Sequence, residues 1–327
     1  QQEQILLGQR GQSRVAFPIR TDDKPYSTHC DNRLDYTPMS VGVRTVTFRA
    51  VDTKNNRCVN LKKVNFVCVD NVLHAKKNIL CIGDSITEKY NMPYYIQQCL
   101  SKYLSPDSVQ PDFVGTSGGA NDMESKVNYE TRHEGRSGWN SRSFTAPVMS
   151  VFANAGKTAI DIGTYRSANN IGKIDVVNIS LGMNDALIIP RSEYIPNILS
   201  LINAFKADNP DVRIVVQLPS NTALKEYQEK NIALNNLKSD ILKKLSGIGN
   251  VIIGDWSCGY DRWNGFPLST WAPKPLYGNS GQMYYHQGIY DILHPTEAGT
   301  REMAEAMAGS ILFALQDEQQ VFNHRAL

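Results

Sequence analysis

Between residues 43 and 51 apolar and polar side chains alternate, Val43-Arg44-Thr45-Val46-Thr47-Phe48-Arg49-Ala50-Val51, the period of a half-buried strand. Val64-Asn65-Phe66-Val67-Cys68-Val69 is a second run of this kind, with Asn55-Asn56 as turn material between them. Residues 1–75 therefore read as a small β-rich accessory region. The pattern changes near residue 75. From Asn78 onward, continuous apolar runs alternate with segments of helical period: strands over 78–82, 112–115, 174–181, 212–218 and 250–254, helices over 91–104, 192–208, 223–245 and 295–315. Strands separated by helices imply a parallel sheet covered on both faces, so residues 76–327 are predicted to be α/β, with Ile79-Leu80-Cys81-Ile82 in the central strand. No internal repeat or low-complexity segment interrupts the pattern.

Composition agrees with a folded chain. With 327 residues, 41% hydrophobic and 20% charged, the chain can bury a large core, as one large domain with an appendage or as two domains. Lys plus Arg (34) balances Asp plus Glu (32) and neither sign forms a long block, which argues against nucleic acid or an anionic membrane as partner. No apolar run approaches the roughly 18 residues of a membrane-spanning helix. The chain begins with Gln and no charged-then-apolar leader follows, so a signal peptide is expected to be absent or already removed. A secreted or cell-envelope location is preferred to a cytoplasmic one. The six cysteines, Cys30, Cys58, Cys68, Cys81, Cys99 and Cys258, contain no CxxC pair and are too sparse for a disulfide scaffold. Cys81 and Cys99 read as small buried hydrophobes, and a Cys58–Cys68 bridge across a hairpin stays open.

Ligands of an open parallel sheet bind beyond the carboxyl ends of its strands. Three polar turns stand at such ends: Gly83-Asp84-Ser85, Gly182-Met183-Asn184-Asp185, and Asp291-Ile292-Leu293-His294-Pro295 before the last helix. Asp and His three positions apart can place a carboxylate on one imidazole nitrogen while the other faces the sheet edge, the arrangement of a general base. Pro295 suits the first helical position, which would hold His294 near the helix cap. A serine at a strand end supplies a nucleophile, with Asp84 bracing its turn through hydrogen bonds. Asn184 supplies an amide for a developing oxyanion. The Gly-x-Asn-Asp pattern also occurs at Gly119-Ala120-Asn121-Asp122, but in a polar loop, so the oxyanion role goes to Asn184 rather than Asn121.

Four segments together carry a family resemblance: Gly83-Asp84-Ser85-Ile86-Thr87, His133-Glu134-Gly135-Arg136-Ser137-Gly138-Trp139, Gly182-Met183-Asn184-Asp185 and Asp291-Ile292-Leu293-His294-Pro295. In this order they resemble the four sequence blocks of the SGNH hydrolases, also called GDSL-type lipases and esterases, over residues 78–315. The resemblance implies a three-layer α/β/α sandwich of flavodoxin-like type and a serine esterase. It implies Ser85 as nucleophile, His294 as general base and acid, and Asp291 as the residue that orients it. The implied oxyanion hole combines the backbone N–H of Ser85, the N–H of a block-two glycine and the Asn184 amide. Gly138 is preferred to Gly135, although Asn140 departs from the Thr or Ser usual two positions later. No metal or organic cofactor is required; His286, Asp291 and His294 suggest a metal cluster only superficially.

Substrate class is read from what surrounds these blocks. Trp139 is placed to line an acyl pocket, Arg136 is a candidate substrate contact, and Arg132 and His133 either join it or are solvated. Residues 255–290 carry Trp256, Tyr260, Trp263, Phe266, Trp271, Tyr277, Tyr284, Tyr285 and Tyr290, which form a wall for sugar rings or a satellite core. Without a strongly apolar lid-like helix, the first reading is a short-chain esterase that removes acetyl groups from carbohydrate, with a small-molecule or glycan ester as partner. A lipid acyl-hydrolase or thioesterase is the alternative. A glycan-binding or structural module with incidental hydrolysis is the alternative of another class.

Overall fold

Branched aliphatic residues dominate the apolar runs, and in the three-dimensional structure, a computed structural model, these runs lie side by side in parallel. The structure describes residues 3–6, 15–16, 19–21, 27–30, 33–36, 41–52, 57–118, 131–222, 228–256, 272–275, 283–286 and 293–316. The chain divides into two units: residues 1–74 with 103–108 and 316–327, and residues 75–102 with 109–315.

The first unit is antiparallel. Its strands are β1 (Glu3–Leu6), β2 (Val15–Ala16), β3 (Ile19–Thr21), β4 (Ser27–Cys30), β5 (Arg33–Tyr36), β6 (Gly42–Asp52) and β7 (Arg57–Cys68). They form a β1-β5-β4 sheet and a second sheet in which β6 pairs with β2, β3 and β7. Cys58 and Cys68 both lie on β7, opposite Val51 and Gly42 of β6. Ten residues of extended strand separate them by about 33 Å, far beyond the reach of a disulfide, so the bridge left open above is excluded.

The second unit holds the parallel sheet: β8 (Asn78–Gly83), β9 (Asp112–Val114), β10 (Glu134–Gly135), β11 (Val176–Ser180), β12 (Arg213–Leu218) and β13 (Val251–Asp255). The order is β10-β8-β11-β12-β13, and β9 pairs with the start of the β8 edge whose end pairs with β10. β8 is therefore second from one edge, and β11, not residues 79–82, is central. The cause is the shortness of β9 and β10, which share one flank of β8 and add a single column. Apart from the parallel sheet, β14 (Ala272–Pro275) pairs antiparallel with β15 (Met283–His286).

Among the described residues eight helices accompany these strands: α1 (Ser85–Lys89), α2 (Met92–Tyr103), α3 (Ser141–Thr145), α4 (Ile162–Ala168), α5 (Met183–Ile188), α6 (Arg191–Asp208), α7 (Gln228–Leu245) and α8 (Glu297–Leu315). Successive strand residues point to opposite faces. One set, including Leu80, Ile82, Val177, Ile179, Ile214 and Val216, packs with buried residues of α3, α4, α6 and α7. The opposite set meets α8, where the face is not wholly apolar: buried Gln217 donates Nε2 to Asn178 Oδ1 at 2.8 Å and to Ser310 Oγ at 3.1 Å. This is the three-layer α/β/α sandwich expected.

Phe152 is fully buried between Phe144, Tyr165 and Phe205, with ring centroids 5.9, 4.9 and 5.5 Å away. Phe152→Ala is expected to lower the unfolding free energy by roughly 3–5 kcal/mol, measured by urea denaturation. A loss below about 1 kcal/mol would show that this aromatic cluster does not hold the helix layer to the sheet.

Candidate active site

Strand β8 ends at Gly83 and the chain turns at once into α1. A Cβ on Gly83 would stand 1.9 Å from Thr87 Oγ1, so only glycine lets the helix fold back this closely. Buried Asp84 is the N-cap: its Oδ1 accepts the Ile86 N–H at 3.0 Å, and its carbonyl accepts the Glu88 N–H at 3.0 Å. The turn presents Ser85, half-buried, as the first helical residue. Its Oγ lies 3.0 Å from His294 Nε2, a contact across 209 positions of sequence.

His294 sits in the bend before α8. The cap of that helix is Thr296, whose Oγ1 accepts the Gly299 N–H at 3.1 Å. Pro295 thus stands before the cap and not at the first helical position, because the threonine hydroxyl satisfies the helix end. Asp291 lies outside the described residues, as do Asn121 and, among the aromatics of 255–290, Tyr260, Trp263, Phe266, Trp271, Tyr277 and Tyr290.

The second block arrives on β10, which pairs Glu134 with Ile82 and Gly135 with Gly83. Its backbone N–H groups can be followed one by one. Gly135 donates to His133 Nδ1 at 2.9 Å, Arg136 to the Gly83 carbonyl at 3.0 Å, Ser137 to Glu88 Oε2 at 2.6 Å and Trp139 to the Arg136 carbonyl at 3.1 Å. The Gly138 N–H has no partner among the described residues, and neither has that of Ser85. Gly138 is exposed and left-handed, φ 77°, and a Cβ there would meet nothing within 4 Å. Of the two block-two glycines, Gly138 is the one with an N–H to offer.

Asn184, near the start of α5, donates Nδ2 to the Trp139 carbonyl at 2.9 Å and keeps a second amide hydrogen. Next to it, buried Asp185 accepts the Ser141 N–H on Oδ1 at 2.9 Å. Two successive residues of α5 thus clamp residues on both sides of Asn140. Asn140 in turn caps α3 with a reciprocal pair, its Oδ1 accepting the Ser143 N–H and Ser143 Oγ accepting its own. An asparagine does here what Thr or Ser would do at a helix start, so the departure noted above leaves the loop's geometry intact.

Arg136 is turned inward. It pairs with Glu134 at 2.6 Å, reaches Thr116 Oγ1 at 2.9 Å, and also donates to Ser117 Oγ. Fully buried Glu134 accepts the Thr116 N–H at 2.6 Å and the Tyr165 hydroxyl at 2.7 Å. His133 is buried as well; burial and the Arg136 charge lower its pKa to about 4, so it is a neutral acceptor for Gly135. These two residues, read as a substrate contact and as a contact or a solvated side chain, brace the loop from within. Arg132 remains exposed.

Residues 79–307 match the family model of the GDSL-like Lipase/Acylhydrolase. The chain belongs to this family. It is a carboxylic ester hydrolase. A carbohydrate esterase family 3 from Talaromyces cellulolyticus is 20% identical, with 73% of this chain and 98% of that one covered and a TM-score of 0.50. A family 3 carbohydrate esterase from Clostridium thermocellum is 18% identical over 74% and 98% of the two chains, with a TM-score of 0.46. No curated protein matches the chain.

Three residues of this GDSL-type hydrolase escaped the sequence reading: Glu88, Asp185 and Tyr90. Glu88 follows Ser85 by three positions, one helical turn, and Asp185 adjoins Asn184; adjacency to a block residue was the only signal. The ring of Tyr90 faces His294 across a stack that sequence spacing does not encode.

Burial drives the Asp84 carboxyl up to about 6; the Ile86 N–H and nearby His294 oppose the rise and Asp185 adds to it. The folded chain therefore binds this proton more tightly than the unfolded chain. Ionising Asp84 costs stability, in full above pH 6, and the cost fades as pH falls through 6 towards 4. Asp84→Asn keeps the cap acceptor and removes the charge. It is expected to raise the unfolding free energy at pH 8 by roughly 2–3 kcal/mol, with no gain at pH 4, measured by urea denaturation at both pH values. Equal midpoints for the two proteins at pH 8 would contradict this account.

Proposed function

We propose that this hydrolase removes short acyl groups, acetyl above all, from carbohydrate esters by two-step acyl transfer through Ser85. The observation that carries the reading is the 3.0 Å contact of Ser85 Oγ with His294 Nε2, together with the Ser85 and Gly138 N–H groups, which have no partner among the described residues. His294 takes the Ser85 proton as Oγ attacks the ester carbonyl. Charge on the carbonyl oxygen is met by the Ser85 and Gly138 N–H groups and by Asn184 Nδ2. The alcohol leaves with the proton from His294; water, activated by the same imidazole, then releases the acid. Asp291 is assigned to the far imidazole nitrogen on the strength of the family pattern alone.

Two features favour a small acyl group on a large alcohol. Trp139, assigned here to the acyl pocket, is held in place: its ring stands 4.9 Å from Phe144, edge to face, and its carbonyl is held by Asn184. Gly138 is exposed, which leaves room for an alcohol that extends into solvent. The carbohydrate esterase from Talaromyces cellulolyticus uses the same fold.

The test is turnover of p-nitrophenyl acetate, butyrate and octanoate and release of acetate from an acetylated oligosaccharide. Rates are expected to fall with chain length, and acetate to be released from the oligosaccharide. Octanoate as the best ester would favour the lipid acyl-hydrolase reading instead. Ser85→Ala and His294→Ala are each expected to lower kcat by about 10³-fold or more, and the double variant to be little worse than either. Additive losses would mean that the two side chains do not act as a unit. Asn184→Ala is expected to cost about 10²–10³-fold in kcat with KM nearly unchanged.

A further inference from the structure

The imidazole of His294 makes a contact that acyl transfer by a serine, a histidine and an acid does not require. The phenol ring of Tyr90 lies over it, with centroids 5.3 Å apart and planes 14° from parallel. Tyr90 is the C-cap of α1, the five-residue helix that begins with Ser85. The nucleophile and the stacked ring therefore leave opposite ends of one short helix, about 7 Å apart along its axis. Beyond Tyr90 the chain is turned by Asn91, which is left-handed at φ 52° and only 6% exposed. The Asn91 carbonyl accepts the Tyr95 N–H at 3.2 Å and so opens α2. Asparagine is among the few residues that take this conformation at small cost, and the turn it makes sets where the Tyr90 ring stands.

We propose that Tyr90 is a positioning residue for His294: its ring holds the imidazole in the plane that aims Nε2 at Ser85 Oγ and stabilises the imidazolium formed when the serine proton is taken. The inference rests on the reading of Ser85 and His294 as the catalytic pair. Offset aromatic stacks at this spacing are attractive, and a cation within about 6 Å of a ring face is drawn to it. The other ionisable groups around His294 act differently. Asp84 at the far end of α1 attracts it through space, and Asp185 of α5 lies near Asp84. Glu88 of α1 is turned to the Ser137 N–H, and Asp291 stands three positions before His294 in the sequence. A carboxylate hydrogen-bonded to the far nitrogen fixes the tautomer and the direction of that bond. A flat contact on the ring's face adds a restraint on rotation about it, and so on where the Nε2 lone pair points.

The test compares Tyr90→Leu, Tyr90→Met and Tyr90→Phe with the parent enzyme on p-nitrophenyl acetate, through kcat, KM and the pH dependence of kcat/KM. Tyr90→Leu is expected to lower kcat about tenfold with KM within about twofold, and to move the acid limb of kcat/KM down by about half a pH unit or more, because the imidazolium loses its partner. Tyr90→Met, whose flexible side chain still fills the space, should show the same losses even if Tyr90→Leu folds poorly. Tyr90→Phe should recover most of both effects, since it keeps the ring. A parent-like kcat and acid limb in the two aliphatic variants would overturn the proposal, and so would Tyr90→Phe falling as far as they do. Ser85→Ala, assayed alongside, separates the two readings: if it stays active, the catalytic pair is wrong; if it is dead while the aliphatic variants stay parent-like, only the role of Tyr90 is.

Discussion

A folded chain leaves almost no backbone N–H without a partner, and among the described residues those of Ser85 and Gly138 have none. In the stretch 135–139 four of five N–H groups are bonded, each to a different kind of acceptor: an imidazole, a strand carbonyl, a carboxylate and a turn carbonyl. Those four bonds define the peptide planes on both sides of Gly138. The open donor is thus held by its neighbours, and the left-handed backbone that turns it outward costs little because the residue is glycine. Much of the surrounding structure serves this arrangement. β10 lies against β8, Glu134 and Arg136 neutralise each other under the loop, and α5 grips the loop through Asn184 and Asp185.

The long elements were legible in the sequence because their side chains repeat. β8, β11, β12 and β13 are apolar runs, and α6 and α8 keep a helical period over 18 and 19 residues. The four blocks were legible because glycine, serine, asparagine and histidine occur at the ends of such elements, where a packed core has no use for them. Helices of five to seven residues, α1, α3, α4 and α5, carry too few turns for a period to register, and β10 has only two residues. The inward contacts of Arg136 and His133 were not legible for a related reason. A polar side chain has the same signature in sequence whether it meets solvent, a substrate or a buried glutamate. The position of Pro295 turned on one hydroxyl, that of Thr296, competing for the helix cap.

Electrostatically the site is built on acids taken out of water. Asp84 and Asp185 are both buried behind the nucleophile, and burial raises both. Each is partly compensated by backbone N–H donors, Ile86 for one and Ser141 for the other. Asp84 is also close enough to His294 for the two to attract each other through space. Structure and reactivity draw on the same hydrogen bonds, and the conformational demands of one cannot be relaxed without touching the other.

The polar contact on the α8 side of the sheet bears on alignment. Asn178 of β11 and Gln217 of β12 meet between two strands whose other side chains are mostly interchangeable aliphatic groups. Slipping β12 by one residue would swing Gln217 to the opposite face, away from Asn178 and Ser310, and advance the strand by about 3.3 Å. The pair thus acts as a ruler mark within the core. It sets the height at which neighbouring strands release their loops, and so allows side chains from distant parts of the chain to reach the same ester.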